Sequence, residues 1–443
     1  MLNLFDNFDQ ATFDLLRSQR SAQIKIPTVV INDDGFLPAE VESPIKFFGQ
    51  YNENKSPLYF DQLPVPKYWR ILSTSSQGEV YDLDQKRADI IYRSNDNSRQ
   101  VKEVRWLDRQ GKINWADHYN SNGYHFATTF YEQGQPIWRK YYNKYQECFL
   151  AWNLRAGSLF LTDNSQKRYF ASWIEFVKYY LTVRDFKLDH IFYNTLNQGL
   201  SVTLALPDNG TDTLFWHEPL LDNKLPGNMQ FLMEHSTRTK HIIFQRYSDW
   251  QQMKPTLTGN KYVDFSYLGM IYPHPRGNKL RPEALILTNS DEIVAATTLV
   301  KQLPQVKFHI AAVTEMSEKL LAYQQYSNVE LYPNVSQQRV KQLIADCDIY
   351  LDINHQNEIL DAVRGAFEQN MLIVGFDETL HEPQFVAPQN VFKVTEARQM
   401  GERILNALQK PALMKELIDT QRKLASEVSV QDYRNRIGAI EHD

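Results

Sequence analysis

The stretch Ala345 to Phe376 constrains this chain more than any other. It reads Ala-Asp-Cys-Asp-Ile-Tyr-Leu-Asp-Ile-Asn-His-Gln-Asn-Glu-Ile-Leu-Asp-Ala-Val-Arg-Gly-Ala-Phe-Glu-Gln-Asn-Met-Leu-Ile-Val-Gly-Phe. Ile349 to Ile353 and Leu372 to Phe376 are apolar runs with the length of buried strands. Between them Ile359, Val363, Ala366 and Phe367 recur at helical spacings, and Asn354 is placed to cap the helix. Strand, crossover helix and strand make one unit of a parallel sheet. Asn354 to Glu358 then lies beyond a strand's carboxyl end, where open α/β sheets bind ligands.

The chain has 443 residues, too many for one ordinary core, which predicts two or three domains. Thr28 to Ile31 reads as a buried strand ended by the turn Asn32-Asp33-Asp34-Gly35. A phosphate-binding turn needs several glycines, and here two carboxylates precede a single one, so a plain turn is expected. From Trp69 to Leu161 the pattern changes to short β-forming runs, among them Val104 to Leu107, Lys112 to Trp115 and Ile137 to Tyr142. Gln77-Gly78, Gln110-Gly111 and Gln133-Gly134 read as turns between them, giving an antiparallel meander.

A helix from Ala171 to Leu181 follows, and His190 to Tyr193, Thr213 to Trp216 and His241 to Phe244 then complete the first sheet. Pro273, Pro275, Gly277 and Pro282 mark a linker, and a second strand–helix alternation begins at Ala284. The expected fold is α/β, with two Rossmann-like doubly wound domains and an inserted antiparallel sheet. The predicted boundaries are 1–60 with 165–265 for the first domain, 61–164 for the insertion, 266–428 for the second domain, and 429–443 for a tail returning to the first.

Lys and Arg total 48 against 53 Asp and Glu, a net charge of −5, which argues against a nucleic-acid partner. Cys148 and Cys347 are too few for a disulfide framework or a zinc cage, and no histidines share ligand spacing, so neither metal nor cofactor is expected. The first nine residues lack an apolar signal core and no run is long enough to span a bilayer. A cytoplasmic protein is expected, touching a membrane only peripherally and through partners.

His217 follows an apolar strand beside Glu218, the placement of a working residue in an α/β protein, although one histidine with no orienting partner fits a structural hydrogen bond better. Ser236, Arg238 and Lys240 form a polar cluster before a strand, which reads first as solvated surface and second as a ligand contact. His217, Arg238, His355, Asn357 and Glu358 are therefore candidate ligand-contacting residues. Trp106, Trp115, Trp138 and Trp152 alternate with polar residues along the hairpins and are candidates for a partner-facing aromatic surface, or for packing on the parent domain.

The order of elements around Asn354 resembles the nucleotide-sugar site of two-domain (GT-B) retaining glycosyltransferases. Such enzymes carry two Glu eight positions apart, one near the donor sugar and one on the ribose. Aligning Gln369-Asn370-Met371-Leu372 with the family's small-Gly-Leu-Pro step puts Asn357 and Gly365 at those positions, and Glu358 one place off points about 100° away on a helix. Arg276 and Lys279 precede the strand after which active relatives place a basic pair, and Asn289-Ser290-Asp291-Glu292 stands there instead.

With Leu4-Phe5-Asp6-Asn7 and the run Pro27 to Phe36, the whole chain resembles the accessory, stabilising (GtfB-type) subunits of the O-linked N-acetylglucosamine transferase complex of the bacterial accessory Sec system. The resemblance implies a non-catalytic subunit that binds a serine-rich adhesin polypeptide and joins a catalytic glycosyltransferase through inserted β-sheets. The residues leave two other readings open: an active GT-B enzyme with an atypical donor site built on Glu358 or His217, and a module that binds glycosylated product.

Overall fold

The computed structural model describes residues 1–52, 55–74, 76–93, 98–163 and 165–442. It divides into two compact units, Met1–Phe244 with Gln252–Tyr267, and Gln245–Gln251 with Leu268–Asp443.

The first unit begins with β1 (Leu2–Phe5), which is fully buried, and β2 (Thr28–Val30) lies parallel to it. Sequence reading started this sheet at Thr28. It missed β1 because a four-residue run in an acidic segment carries no readable period. Ten antiparallel strands follow in chain order: β3 (Arg70–Ser73), β4 (Gln77–Asp82), β5 (Gln85–Tyr92), β6 (Val101–Leu107), β7 (Ile113–Tyr119), β8 (His125–Glu132), β9 (Gln135–Tyr142), β10 (Cys148–Asn153), β11 (Leu159–Asp163) and β12 (Gln166–Phe170). Gln110-Gly111 and Gln133-Gly134 are turns, and both glycines have positive φ. Gln77-Gly78 opens β4 instead, paired with Ile90 and Ile91.

The chain then returns to the first sheet with β13 (Ile191–Tyr193), β14 (Asp212–Trp216), β15 (Thr239–Phe244) and β16 (Asp264–Tyr267), all parallel, in the order β16-β15-β14-β13-β1-β2. The helix Trp173–Val183, capped by Ser172, joins this sheet to the meander. Its Trp173, Phe176, Val177 and Tyr180 share one core with Leu2, Val29 and Ile191 of the parallel sheet and with Tyr141, Leu150 and Leu159 of the meander. The insertion and its parent domain are therefore one hydrophobic body.

The second unit is a parallel sheet of β17 (Glu283–Thr288), β18 (Lys307–Ala312), β19 (Val329–Tyr332), β20 (Ile349–Asp352), β21 (Leu372–Phe376) and β22 (Val391–Phe392), ordered β19-β18-β17-β20-β21-β22. Helices on both faces bury two apolar clusters. Among the described residues no helix is long and apolar enough to cross a membrane.

The turn after β2 packs directly on the β7–β8 turn, with Ser121 N donating to Gly35 O at 2.8 Å. Gly35 has φ +90°, and a Cβ there would stand 2.8 Å from Phe126 Cε1 and 3.0 Å from Asn120 Cα. Gly35→Ala is expected to destabilise the protein by about 1–3 kcal/mol, seen as a lower denaturant midpoint at unchanged slope.

Candidate functional site

The second sheet changes direction between β17 and β20, which pair with each other and lead outward on opposite sides. In an open α/β sheet that switch point is where a ligand enters. Here the two loops leaving it are joined to each other. Ile293 and Asn354 form an antiparallel bridge, Val294 N donates to Ile353 O at 2.9 Å, and His355 N donates to Glu292 O at 3.4 Å. Thr288 Oγ1 donates to Asn354 Oδ1 at 2.9 Å, and Asn354 Nδ2 donates to Asn289 Oδ1 at 3.3 Å. Main-chain and side-chain bonds thus tie the two loops together beyond the strand ends.

Asn354 does not cap the helix, because that bridge holds it. The helix runs only from Ala362 to Glu368, after Leu360 and Asp361 in left-handed conformation. Glu358 supplies the cap, its Oε1 accepting from Val363 N at 2.8 Å. Burial raises the Glu358 carboxyl above its ordinary range, and the Val363 bond opposes this. Its oxygen is thereby directed at a helix end. Asn357 and His355 are exposed on the loop, with His355 Nε2 3.3 Å from Glu378. At Gly365 a side chain would begin 3.3 Å from Ile344 Cδ1, so a larger residue there requires the end of Ile344 to give way.

A pair that sequence reading missed pins this loop. Asp352, 1 % exposed, accepts from His381 Nδ1 at 2.5 Å and from His381 N at 2.9 Å, while His381 Nε2 reaches Gln356 O at 2.5 Å. The Asp352 bond, aided by Gln356 O, lifts the His381 pKa to about 9, so both ring nitrogens donate at neutral pH. Their separation of 29 positions leaves no signal in the sequence.

Arg276 and Lys279 lie at the opposite end of this sheet. Arg276 Nη1 and Arg281 Nη2 donate to Asp348 Oδ1 at 2.5 and 2.8 Å, and Lys279 N donates to Asp348 Oδ2 at 2.7 Å, just ahead of β20. Burial would raise the Asp348 carboxyl, but the hydrogen bonds led by Arg281 outweigh it and hold it below the usual range. These cations anchor the linker to the strand's amino end.

In the first unit the switch lies between β1 and β13. Asp6, 2 % exposed, accepts from Gln198 N at 3.0 Å and Gly199 N at 2.6 Å, so a carboxylate of the protein itself already meets those amides. His217 follows β14, half-buried, beside exposed Glu218. Arg238 is not the solvated cation that sequence reading expected. It is 3 % exposed, and its Nε and Nη2 clasp Asp212 at 2.9 and 3.0 Å while Nη1 donates to Pro207 O at 2.7 Å.

In the meander, Trp106 pairs with Trp115, Trp115 with Phe130, and Phe130 with Trp138, so these four rings share one face. Trp106 and Trp115 both donate their indole N–H to Asp117 Oδ2, at 2.7 and 3.3 Å. Trp152 faces the other way. It pairs with Arg139 and stacks on Trp173 at 4.5 Å, inside the shared core. A count of tryptophans could not separate the two faces, because bulges shift the register.

Two doubly wound sheets with an antiparallel insertion define a GT-B glycosyltransferase architecture. Residues 2–48, 69–171, 173–255 and 284–421 match, in turn, the profiles of the GtfB N-terminal domain, the GtfB middle domain, the GtfB third domain and the GftB/GlyA-F C-terminal domain. The chain belongs to the GtfB family. It is 74 % identical over 443 residues, 100 % of both chains, to the UDP-N-acetylglucosamine–peptide N-acetylglucosaminyltransferase stabilizing protein GtfB of Limosilactobacillus reuteri subsp. suis. It is 39 % identical over 445 residues, 99 % of both, to the protein of that name from Streptococcus gordonii. A chain in a crystal structure of a GtfA/B complex bound to UDP and GlcNAc superposes with a TM-score of 0.94 at 38 % identity, covering 99 % of each chain. A TarM structure from S. aureus, at 13 % identity and TM-score 0.53 over 99 % of each chain, shares the fold.

Two outcomes test this geometry. Arg238→Met leaves Asp212 buried without its cation and is expected to cost about 3–5 kcal/mol, measured by thermal unfolding. The His381 pKa is raised from 6.5 to about 9, so its stabilisation is complete below pH 6.5 and is lost as the pH rises through 9. His381→Gln should therefore cost roughly 2 kcal/mol near pH 6.5, with the gap to the parent protein closing by pH 10.

Proposed function

We propose that this chain is a non-catalytic, stabilising and acceptor-binding subunit of a protein O-glycosyltransferase, which adds N-acetylglucosamine to Ser and Thr of serine-rich repeat adhesins before export through the accessory Sec system. The observation that carries this reading is the bridge between the loops after β17 and β20, which ties them together at the switch point where open α/β sheets take a ligand. Glu358 capping a helix, Asn357 and Gly365 in place of two carboxylates, and Arg276 held at the wrong end of the sheet support it. The names of the GtfB relatives, stabilizing proteins of a peptide N-acetylglucosaminyltransferase, agree with it.

The partner in this reading is a catalytic glycosyltransferase subunit, met through the inserted sheet on the Trp106–Trp115–Phe130–Trp138 face, in the cytoplasm at the membrane's inner surface. Aromatic rows of this kind are enriched at the centre of protein interfaces. His217, His355, Asn357 and Glu358 remain proposed acceptor contacts. Arg238 acts behind them as a structural ion pair, and Trp152 acts through the shared core.

Isothermal calorimetry of the isolated chain with UDP-N-acetylglucosamine is expected to show no binding, and a micromolar heat would overturn the reading. Trp115→Ala with Trp138→Ala should cut co-purification with the catalytic subunit about tenfold or more while far-UV dichroism is unchanged. Deleting the whole insertion is not an equivalent test, because it removes half of the core around the helix Trp173–Val183.

A further inference from the structure

The turn after β2, a plain turn in the sequence reading, lines a cavity of ≈ 320 Å³ within the first unit. Asp33 and Leu37 form one wall, Ile45 of the helix Pro44–Gly49 a second, and Asn120 and Phe126 of the meander a third. Asp33 Oδ1 accepts from Gly35 N at 2.7 Å, and Oδ2 accepts from Ser43 Oγ at 2.5 Å. Asn120 is 5 % exposed, and its Oδ1 accepts from Asn122 N and Tyr124 N at 3.1 and 3.0 Å, which leaves its amide as the donor. Of the other polar lining groups, Tyr51 donates to Tyr142 O, Lys46 Nζ to the carbonyls of Pro38, Ala39 and Val41, Ser121 Oγ to Asn122 Oδ1, and Asn122 Nδ2 to Lys55 O.

This donor and acceptor set selects its ligand. The Asp33 carboxylate repels an anion, and Lys46, the cation among the lining residues, is taken up by three main-chain carbonyls. The volume lies at the small end of the ~300–1,000 Å³ range of ligand sites, too tight for a nucleotide sugar. A hexose carries hydroxyls all round its ring and would press several of them on Leu37, Ile45 and Phe126, where they find no partner. A side chain with one hydroxyl and an apolar stem meets both halves of the cavity. The Ser43–Asp33 bond is the same hydroxyl-to-carboxylate contact, already made inside the protein. Burial pushes the Asp33 carboxyl up, so a further hydroxyl donor would favour its ionised form.

We propose that this cavity receives a serine or threonine side chain of the extended acceptor polypeptide, its hydroxyl donating to Asp33 and accepting from Asn120. This rests on the acceptor-binding reading above and gives it a location at the joint between the parallel sheet and the insertion. The methylene or methyl of the docked residue lies on Leu37, Ile45 and Phe126, and its main chain crosses the open rim.

The test is fluorescence anisotropy of a labelled serine- and threonine-rich peptide on the full chain and on Asp33→Asn and Leu37→Trp. Leu37→Trp adds bulk to the cavity wall and leaves Asp33 and Ser43 in place, so it decides the matter alone if Asp33→Asn unfolds. Both variants should weaken binding about tenfold, the scale of one hydrogen bond to a charged group. The same peptide with alanine at every serine and threonine should bind all three proteins equally weakly. A folded Leu37→Trp with parental affinity would sink the site and leave the acceptor-binding reading intact. No peptide binding to the parent chain would sink both. Binding of N-acetylglucosamine alone, abolished by Leu37→Trp where the serine peptide is indifferent to it, would reassign the cavity to a sugar.

Discussion

The helix Trp173–Val183 is the piece on which the first unit depends. Its buried face packs simultaneously on the parallel sheet and on the meander, so neither sheet has a complete core without it. Each large apolar side chain buried this way contributes about 1.5–3 kcal/mol, and Trp173, Phe176, Tyr180 and Trp152 meet at one junction. The ten-stranded sheet is therefore held in a fixed relation to β1 and β2, and its opposite face carries the row from Trp106 to Trp138.

Both parallel sheets treat their switch points alike. In the first unit Asp6 binds the amides of Gln198 and Gly199, and in the second the bridge from Ile293 to Asn354 joins the loops. An anionic ligand would have to displace a buried carboxylate in one case and main-chain hydrogen bonds in the other. Asp352 and His381 add a charge-assisted bond that holds the second loop in place. Polar groups of the chain itself thus occupy or tie together both switch points.

Much of this was legible in the residues. The strand–helix–strand pattern around Ala345 to Phe376 gave the second sheet, and alternating β-forming runs gave the meander, because both rest on local periodicity. Asn357 and Gly365 stand where the resemblance puts two carboxylates. What failed were features without a local period. β1 is four residues long, Gln77-Gly78 looks like a turn but pairs as strand, and the helix after β20 starts at Ala362 because Asn354 is held by Thr288 and the bridge. Arg238 read as a surface cation because its partner Asp212 stands 26 positions away.

The sequence by itself determined the layered α/β class and the antiparallel insertion, since each follows from side-chain type at fixed short spacings. Only the tertiary structure decided which polar groups meet: Asp6 with Gly199 across 193 positions, Asp352 with His381, Asp33 with Asn120 across one cavity, and Trp152 turned away from the other tryptophans. Those contacts depend on strand register and on how sheets stack, and a one-residue shift in register exchanges the two faces without altering the composition of any segment.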